Sequence, residues 1–322
     1  MGDPPRHVIA IAASAGGVEA LRTLVADLPE DLDAAVCVVL HIPSTGRSLL
    51  APILDRAGPL RTVLAQQGER LEAGTIYVAP ADRHLLIRRD TIELTREPKE
   101  NGVRPAADPM FRSLAWAWGS HGIAVVLSGA LDDGAAGAAA VHQAGGRVVV
   151  QDPLDALVPG MPTSTIAAVR PEAVAPVHEV GALLVRLLAT PGSRNGTHRP
   201  PAMEDVPAQL QGPASGFTCP ECSGVLFRVV EGGTLDRFRC YTGHGFTTPA
   251  LLEELAQRTE AVLWQTVKCL KESRTLLVEA SVRMREAGEM QTAEWLENQI
   301  EEIGQRLETL HATALASGTL GS

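Results

Sequence analysis

A serine at the end of an apolar run is the first residue of this sequence with the type and setting for chemistry. Ser14 follows the strand-like residues 7–13 and precedes the small residues 15–17. An amphipathic run with helical spacing, 18–28, begins directly after this turn. A strand, a tight turn and a helix in this order expose the hydroxyl beside free N–H groups of the first helical turn. Such groups stabilise an oxyanion, so the stretch is suited to acyl transfer.

Two other interpretations of this turn are a phosphate cradle of the dinucleotide-binding type and a plain turn with a serine helix cap. A dinucleotide site requires an Asp or Glu near the end of the second strand to bind the ribose. The second apolar run, 36–40, ends instead in His41-Ile42-Pro43. A serine and a histidine at neighbouring strand ends are typical of a nucleophile and its general base.

A carboxylate that orients the imidazole would complete this relay. The strand predicted over 122–128 is followed by Gly129-Ala130-Leu131-Asp132-Asp133-Gly134, before a predicted helix at 135–144. Functional groups of a doubly wound sheet gather at carboxyl strand ends, which favours Asp132 or Asp133 as the third member. The alternative is that both aspartates merely cap the helix and interact with its dipole.

A second constellation near residue 230 has the spacing of a metal site. Cys219 and Cys222 form a C-x2-C pair, and seventeen residues separate it from the C-x3-H pair of Cys240 and His244. This pattern is typical of a tetrahedral Cys3His zinc site. The same segment holds five of the eleven aromatic residues, a core too small to be stable without metal. Four protein ligands close the coordination shell, so we expect structural zinc and no zinc catalysis. A labile disulfide and a ribbon that has lost its metal are the alternatives.

Length and composition exclude several classes of protein. The chain has 322 residues, of which 45% are apolar, enough for two or three folded units. A net charge of −10 with only 3% aromatic residues argues against binding to nucleic acid. No apolar run has the length of a membrane span, and residues 1–6 lack the features of a signal peptide. Cysteines with metal-ligand spacing fit a reducing interior, so we expect a cytoplasmic location and no membrane insertion.

The elements that position these groups follow from the alternation of apolar runs. Strands are predicted at 7–13, 35–42, 75–79, 122–128 and 146–150, with helices at 48–56, 109–118 and 135–144 among those between them. This alternation predicts an α/β fold with a doubly wound, mainly parallel sheet. Residues 84–88 and 91–95 predict a short antiparallel hairpin at the sheet edge.

Changes in composition divide the chain into four segments. An α/β domain is predicted at 6–189, a Pro/Gly/Ser-rich linker at 190–215, a zinc-ribbon-like module at 216–248 and an α-helical hairpin at 249–317. Gly288 is the expected hinge of the helical hairpin. The apolar stripes of its helices are candidates for contact with a partner or with a second copy of the chain.

Together, the motifs at 11–17, 41–43 and 129–134 resemble the catalytic domain of bacterial chemotaxis protein-glutamate methylesterases. The resemblance covers about 6–188, and Asp152 with the later Gly160-Met161-Pro162 is similar to a further signature of that family. It implies that Ser14 is the nucleophile, that His41 is the general base and then acid, and that Asp133 is the orienting carboxylate, since it directly precedes glycine. It also implies oxyanion donors near the backbone N–H groups of Ala15 and Ala130.

The implied reaction is hydrolysis of glutamate γ-methyl esters on chemoreceptor helices, with methanol released through an acyl-enzyme. Deamidation of receptor glutamines is a second activity of the family. The expected partners are methyl-accepting chemoreceptor helices. The receiver domain typical of the family does not precede the first strand here, so we expect no phosphorylation control in cis.

Some motif residues depart from the family pattern. Ala12 stands where glycine is usual, Ala15 where threonine is usual, and Ala130-Leu131 where Met-Gly is usual. If Leu131 adopts a positive φ, its branched side chain costs about 1–2 kcal/mol. These departures leave two alternatives to the methylesterase, namely a catalytically degenerate signalling adaptor that binds receptor helices and an esterase for another acyl substrate.

Overall fold

A computed structural model describes residues 3–42, 48–189, 212–229 and 236–317. The chain divides into two units, Met1–Ala250 and Leu251–Ser322. Pro43 of the second motif and most of the predicted linker, 190–211, lie outside the described residues.

A seven-stranded parallel sheet forms the centre of the first unit. Its strands are β1 (His7–Ala13), β2 (Ala34–Leu40), β3 (Arg61–Leu64), β4 (Thr75–Val78), β7 (Gly122–Val126), β8 (Arg147–Gln151) and β9 (Ala173–Ala175), and their order across the sheet is β3-β4-β2-β1-β7-β8-β9. The predicted doubly wound, mainly parallel sheet is confirmed. The chain turns from β1 to β2 on one side and later returns to β7 on the other, so β1 borders the switch point at which such sheets place their sites.

Helices cover both faces of this sheet, which explains why its strands are nearly continuous apolar runs. They are α1 (Gly17–Ala26), α2 (Leu50–Asp55), α3 (Ala107–Trp118), α4 (Ala135–Gln143), α5 (Gly160–Ala168) and α6 (Val177–Ala189). Alternate residues of β1 enter different cores, with Val8 packed in the cluster that contains α3 to α5 and Ile9 in the cluster that contains α1, α2 and α6.

The predicted antiparallel hairpin is present as β5 (His84–Arg88) and β6 (Thr91–Thr95). Its expected place at the edge of the main sheet is wrong, because the two strands form a separate sheet. Leu85 and Ile87 are fully buried in the core that also contains α3, and the Ile87 N–H donates to Ser113 Oγ at 2.9 Å. The hairpin therefore packs against α3, where its apolar side chains are buried.

The cysteine-rich segment forms a four-stranded antiparallel sheet of β10 (Ala214–Thr218), β11 (Val225–Val229), β12 (Arg237–Cys240) and β13 (Gly245–Thr247). We call residues 212–250 the ribbon. Its first strand begins inside the predicted linker, and the ribbon belongs to the same unit as the α/β sheet.

The second unit is an antiparallel pair of helices. They belong to α7 (Thr248–Glu286), within which the boundary between the units falls, and to α8 (Met290–Ser317). Gly288 lies between them with a φ of +81°, and the rings of Trp264 and His311 pack 5.6 Å apart. Among the described helices, none combines the length and apolar character that crossing a bilayer requires.

A substitution at Gly137 of α4 would test how closely α3 and α4 pack. A Cβ atom at this position would lie 2.6 Å from Phe111 Cβ and 2.9 Å from the Asp108 carbonyl oxygen. Because the neighbours are a core side chain and backbone, we expect Gly137→Ala to lower the free energy of unfolding of the first unit by about 1–3 kcal/mol. Urea unfolding measures this change.

Gly304→Ala in α8 is the matched control. A Cβ atom there meets nothing within 4 Å. The same substitution should therefore stabilise its own helix by up to about 1 kcal/mol through helix propensity. Equal stabilisation by both substitutions would contradict the tight contact between α3 and α4.

Candidate active site

The structure places Ser14 and His41 at the ends of adjacent strands. Ala13 of β1 is in register with Leu40 of β2, so the next residues on the two strands are the predicted nucleophile and base. The His41 N–H donates to the Ala13 carbonyl at 3.1 Å and extends the ladder by one step. Neighbouring strands lie about 4.8 Å apart, which brings the two side chains to the same point of the sheet rim.

His41 and Asp133 form a direct hydrogen bond. His41 Nε2 lies 2.7 Å from Asp133 Oδ2, and the two side chains are 14% and 3% exposed. An ionised carboxylate only accepts, so Nε2 carries the proton and Nδ1 keeps its lone pair when the ring is neutral. Within the described part of the chain, neither Ser14 Oγ nor His41 Nδ1 has a hydrogen-bond partner. The imidazole is therefore held through one nitrogen, and the other is available as a base.

Asp133 is surrounded by further donors. The Ala107 N–H donates to Oδ2 at 2.6 Å, and Oδ1 accepts from the Asp108 N–H at 3.3 Å and from Asn101 Nδ2 at 3.1 Å. Burial opposes ionisation of this carboxyl group. The His41 hydrogen bond and charge, together with the Ala107 and Asn101 donors, outweigh it and hold the pKa of Asp133 below its usual value. The carboxylate is thus ionised and fixed by groups at both oxygens.

Asp133 and Asp108 each accept hydrogen bonds from the N-terminal N–H groups of the helix that the other residue adjoins or belongs to. Asp133 precedes α4 and binds the first N–H groups of α3, whereas Asp108 of α3 accepts from the Gly134 and Gly137 N–H groups of α4 at 3.1 and 2.7 Å. The alternative that Asp132 and Asp133 merely cap α4 is therefore wrong, because Asp108 satisfies those donors.

Asp132 faces the ribbon and not His41. Its Oδ1 accepts a hydrogen bond from Thr247 Oγ1 at 2.7 Å, and its buried Oδ2 has no partner within the described residues. Burial raises the pKa of Asp132. Of the two aspartates, Asp133 is therefore the one that contacts His41.

Two backbone segments flank Ser14 as the resemblance implies. Ala15 and Ala130 are exposed, and their N–H groups donate to no acceptor in the described part of the chain. Ser128 fixes both segments, because its carbonyl accepts from the Ser14 N–H at 2.9 Å and its hydroxyl donates to the Ala15 carbonyl at 2.7 Å. These free N–H groups are the available donors for an oxyanion.

Gly129 must be glycine because Ser14 and Met161, which belongs to the Gly160-Met161-Pro162 motif, both pack against its Cα atom. A Cβ atom there would lie 2.1 Å from Met161 Sδ and 2.9 Å from Ser14 Cβ. The Met161 N–H donates to the Gly129 carbonyl at 2.8 Å, so the Gly160-Met161 motif holds the backbone of the loop that follows β7. The structure also gives Leu131 a φ of +59°, the strained conformation anticipated for that position.

A cavity of about 300 Å³ opens beside the imidazole. His41, Ile42, Asp82, Lys99 and Arg104 are among the residues that line it. Both cations of this wall are paired, Arg104 with Asp82 and Lys99 with Glu221. Access to His41 from this side is therefore bounded by ion pairs.

The predicted metal ligands converge at one end of the ribbon. The ligand atoms of Cys219, Cys222, Cys240 and His244 all lie within 4.8 Å of one another. Cys222 Sγ and Cys240 Sγ are 3.6 Å apart, and His244 Nδ1 lies 3.7 and 3.4 Å from the sulfurs of Cys219 and Cys240. With Zn–S bonds of about 2.3 Å, a tetrahedral site separates two sulfurs by about 3.8 Å, so these residues fit a zinc ion. All described cysteines are free thiols, which excludes the disulfide alternative in this structure.

Sequence reasoning missed Asn101, Asp108 and Thr247. The side chains of Asn101 and Thr247 donate to Asp133 and Asp132, and the backbone N–H of Asp108 donates to Asp133. The Asn101-Gly102 pair is a turn signal that points to an ordered loop. No local pattern links Thr247 to the site, because it lies 115 positions from Asp132.

Comparisons with known proteins identify the family of the α/β fold. Residues 9–184 match the family model described as CheB methylesterase. A protein-glutamate methylesterase/protein-glutamine glutaminase of Methanosarcina acetivorans is 38% identical over 192 residues, which cover 57% of this chain and 54% of that protein. One of Myxococcus xanthus is 43% identical over 162 residues, covering 50% and 46%.

The crystal structure of the Thermotoga maritima CheB methylesterase catalytic domain is 33% identical, with a TM-score of 0.55, and the match covers 56% of this chain and 98% of that one. This chain spans about half the length of the curated relatives that it matches. Ser14, His41 and Asp133 lie within the family match, whereas the ribbon lies beyond it. Because the match takes in more than half of the residues, the chain belongs to the CheB methylesterase family.

Proposed function

We propose that this protein is a serine hydrolase that demethylates glutamate γ-methyl esters on chemoreceptor helices in the cytoplasm. The observation that carries the proposal is the 2.7 Å hydrogen bond between His41 and Asp133 at the strand end next to Ser14. This arrangement supports the roles of Ser14 as nucleophile, His41 as base and Asp133 as orienting carboxylate of a triad.

The residues act in two stages. Ser14 Oγ attacks the ester carbonyl while His41 Nδ1 accepts its proton, and the oxyanion is stabilised by the N–H groups of Ala15 and Ala130. His41 then returns the proton to the leaving methoxide, methanol departs and the acyl group remains on Ser14. In the second stage His41 deprotonates a water molecule, whose oxygen attacks the acyl carbonyl. The bond to Ser14 Oγ then breaks, His41 returns the proton to that oxygen, and the product leaves with a glutamate carboxyl group. Asp133 stabilises the imidazolium in both stages.

The names of the relatives support both the substrate and a second activity, since they are called protein-glutamate methylesterase/protein-glutamine glutaminase. Deamidation needs the same residues, with ammonia in place of methanol as the leaving group. Association of the helical hairpin with a partner or a second copy stays a prediction from the sequence.

Ser14→Ala should abolish methanol release from a methylated chemoreceptor. Loss of a nucleophile that acts as part of a triad lowers kcat by about 10⁴-fold or more. Ser273→Ala, which alters an exposed serine of α7, is the matched control and should leave the rate unchanged.

Equal, slow release by wild-type protein and Ser14→Ala would instead favour the adaptor alternative. Hydrolysis of simple esters without release from the receptor would favour an esterase for another substrate.

The pH profile should show a single ionisation on its acidic side. The pKa of Asp133 is held below its usual value, so this carboxylate stays ionised as the pH falls and only protonation of His41 removes the base. We expect log(kcat/KM) for ester hydrolysis to rise with a slope of one and then level off, because a general base must be unprotonated to accept a proton. A profile without a rise on its acidic side would contradict the role of His41, and a slope of two would contradict the ionised state of Asp133.

We also propose that Cys219, Cys222, Cys240 and His244 bind structural zinc. The support is the donor set itself, three thiols and an imidazole at tetrahedral spacing in a module with a small core. Zinc would join the turn between β10 and β11 to the turn between β12 and β13 and supply folding free energy.

Purified protein should therefore contain one zinc ion per chain, as measured by elemental mass spectrometry. Cys240→Ser should lose the metal, because three remaining ligands bind zinc far more weakly than four. Cys269→Ser removes an exposed thiol outside the cluster and should keep the metal. Retention of zinc by Cys240→Ser, or metal-free wild-type protein, would refute the site.

A further inference from the structure

The ribbon contacts the loop that supports Asp133. Lys99 Nζ is 2.7 Å from Glu221, which lies between the first two cysteines. The Lys99 carbonyl accepts from the Gly245 N–H at 3.3 Å, and the Asn101 N–H donates to the Gly245 carbonyl at 2.8 Å. Both cysteine turns therefore bind a single short segment, 99–101, of the α/β fold.

Asn101 connects β13 to the relay, and its neighbours fix the direction of its amide. Its Oδ1 accepts the Thr247 N–H at 3.2 Å. The Nδ2 group consequently points the other way, to Asp133 Oδ1 at 3.1 Å and Asp108 Oδ2 at 3.3 Å. A flipped amide would set its oxygen against two carboxylates and its NH2 against an N–H group, so this orientation is the stable one.

Thr247 makes a second connection with a defined direction. Its hydroxyl accepts the Ala250 N–H at 3.3 Å and donates its proton to Asp132 Oδ1 at 2.7 Å. Asp132 immediately precedes Asp133, so this contact restrains the backbone of the loop that presents the relay carboxylate.

The interface also carries compensating charge. Glu100 is buried between Arg112 of α3 and Arg237 of β12, with Arg239 at 3.8 Å, and Arg237 lies 3.6 Å from Asp108. Burial disfavours the Glu100 charge, but these arginines hold the pKa of Glu100 well below its usual value. Without the ribbon, Glu100 would keep Arg112 but lose Arg237 and Arg239, and Asp108 would lose Arg237, so the contact of the ribbon with the loop is an integral part of the fold.

We propose that Asn101 and Thr247 are positioning residues through which the ribbon holds Asp133 in the orientation that His41 requires. One Asp133 oxygen binds His41 and Ala107, and the other binds Asn101 and Asp108. When the Asn101 donor is lost, the carboxylate turns about its last torsion and the bond to His41 weakens. The inference rests on the proposed function, and it assigns a role in catalysis to a module outside the residues matched by the family.

Asn101→Asp is the most informative substitution. It keeps the shape and the acceptor for the Thr247 N–H, but it replaces the donor that faces Asp133 with an oxygen. We expect kcat for receptor demethylation to fall by about 10- to 100-fold with KM nearly unchanged, because a misplaced relay slows chemistry without altering substrate contacts.

Thr247→Val and Thr247→Ser form a matched pair. Valine keeps the packing and loses the hydroxyl, whereas serine keeps the hydroxyl and loses a methyl group. We expect a lower kcat for Thr247→Val and rescue by Thr247→Ser. A purely structural role in the β13 packing would give the opposite order.

The proton resonance of His41 Nε2–H, followed by NMR in ¹⁵N-histidine-labelled protein, reports on the bond to Asp133 without requiring substrate. It should shift or broaden in Asn101→Asp and Thr247→Val and match wild type in Thr247→Ser. An unchanged resonance in folded Asn101→Asp and Thr247→Val would overturn the inference. Wild-type protein that releases no methanol would contradict the proposed function but not the positioning role, because the NMR resonance tests that role without substrate.

Discussion

Removing a carboxylate from water requires other groups to replace its hydration, and Asp133 is the carboxylate for which this structure supplies them. Its side chain is 3% exposed, yet four donors from separate parts of the chain reach its two oxygens. Two of these are the first N–H groups of α3, where the helix dipole also favours negative charge. The relay therefore depends on α3 being placed with its N-terminus towards the end of β7, although no residue of α3 enters the chemistry.

The reciprocal use of Asp133 and Asp108 explains the tight packing of α3 on α4. Each helix provides the other with a carboxylate for its N-terminus, and Gly137 allows the close approach that this exchange needs. Packing is equally tight beside Ser14, where Gly129 lies directly against Met161 and Ser14. Leu131 remains at a positive φ in this crowded loop because Gly160 packs beneath it and Ser164 Oγ donates to its carbonyl at 3.3 Å.

Sequence reasoning reached those features that depend on local pattern. The apolar runs located the strands, and parallel strands bring their carboxyl ends to one rim, so Ser14, His41 and an aspartate at 132 or 133 were predictable from order and spacing. The choice of Asp133 over Asp132 came from the resemblance to the family. Placement of the 84–95 hairpin was not predictable, because a hairpin with an apolar face is equally compatible with a sheet edge and with the underside of a helix. The contacts of Asn101 and Thr247 could not be predicted either, since they arise from the packing of the ribbon on the α/β fold. A single asparagine or threonine carries no signal of that contact.

The charges of the two modules explain why the contact is specific. Four carboxylates, those of Glu100, Asp108, Asp132 and Asp133, are buried within a short distance of the loop that ends β7. The α/β fold contributes Arg112 to this group, whereas the ribbon contributes Arg237 and Arg239. Burial raises the pKa of two of the four carboxyl groups. One is Asp132, with which no arginine or lysine pairs among the described residues, and the other is Asp108, whose pKa rises to about 7 even though Arg237 lies 3.6 Å away. The pKa values of the other two carboxyl groups are lowered, that of Glu100 by the charges of Arg112, Arg237 and Arg239 and that of Asp133 by its hydrogen bonds and by the charge of His41. Asp133 therefore stays ionised beside His41, and the ribbon's arginines are part of the electrostatic setting of the relay.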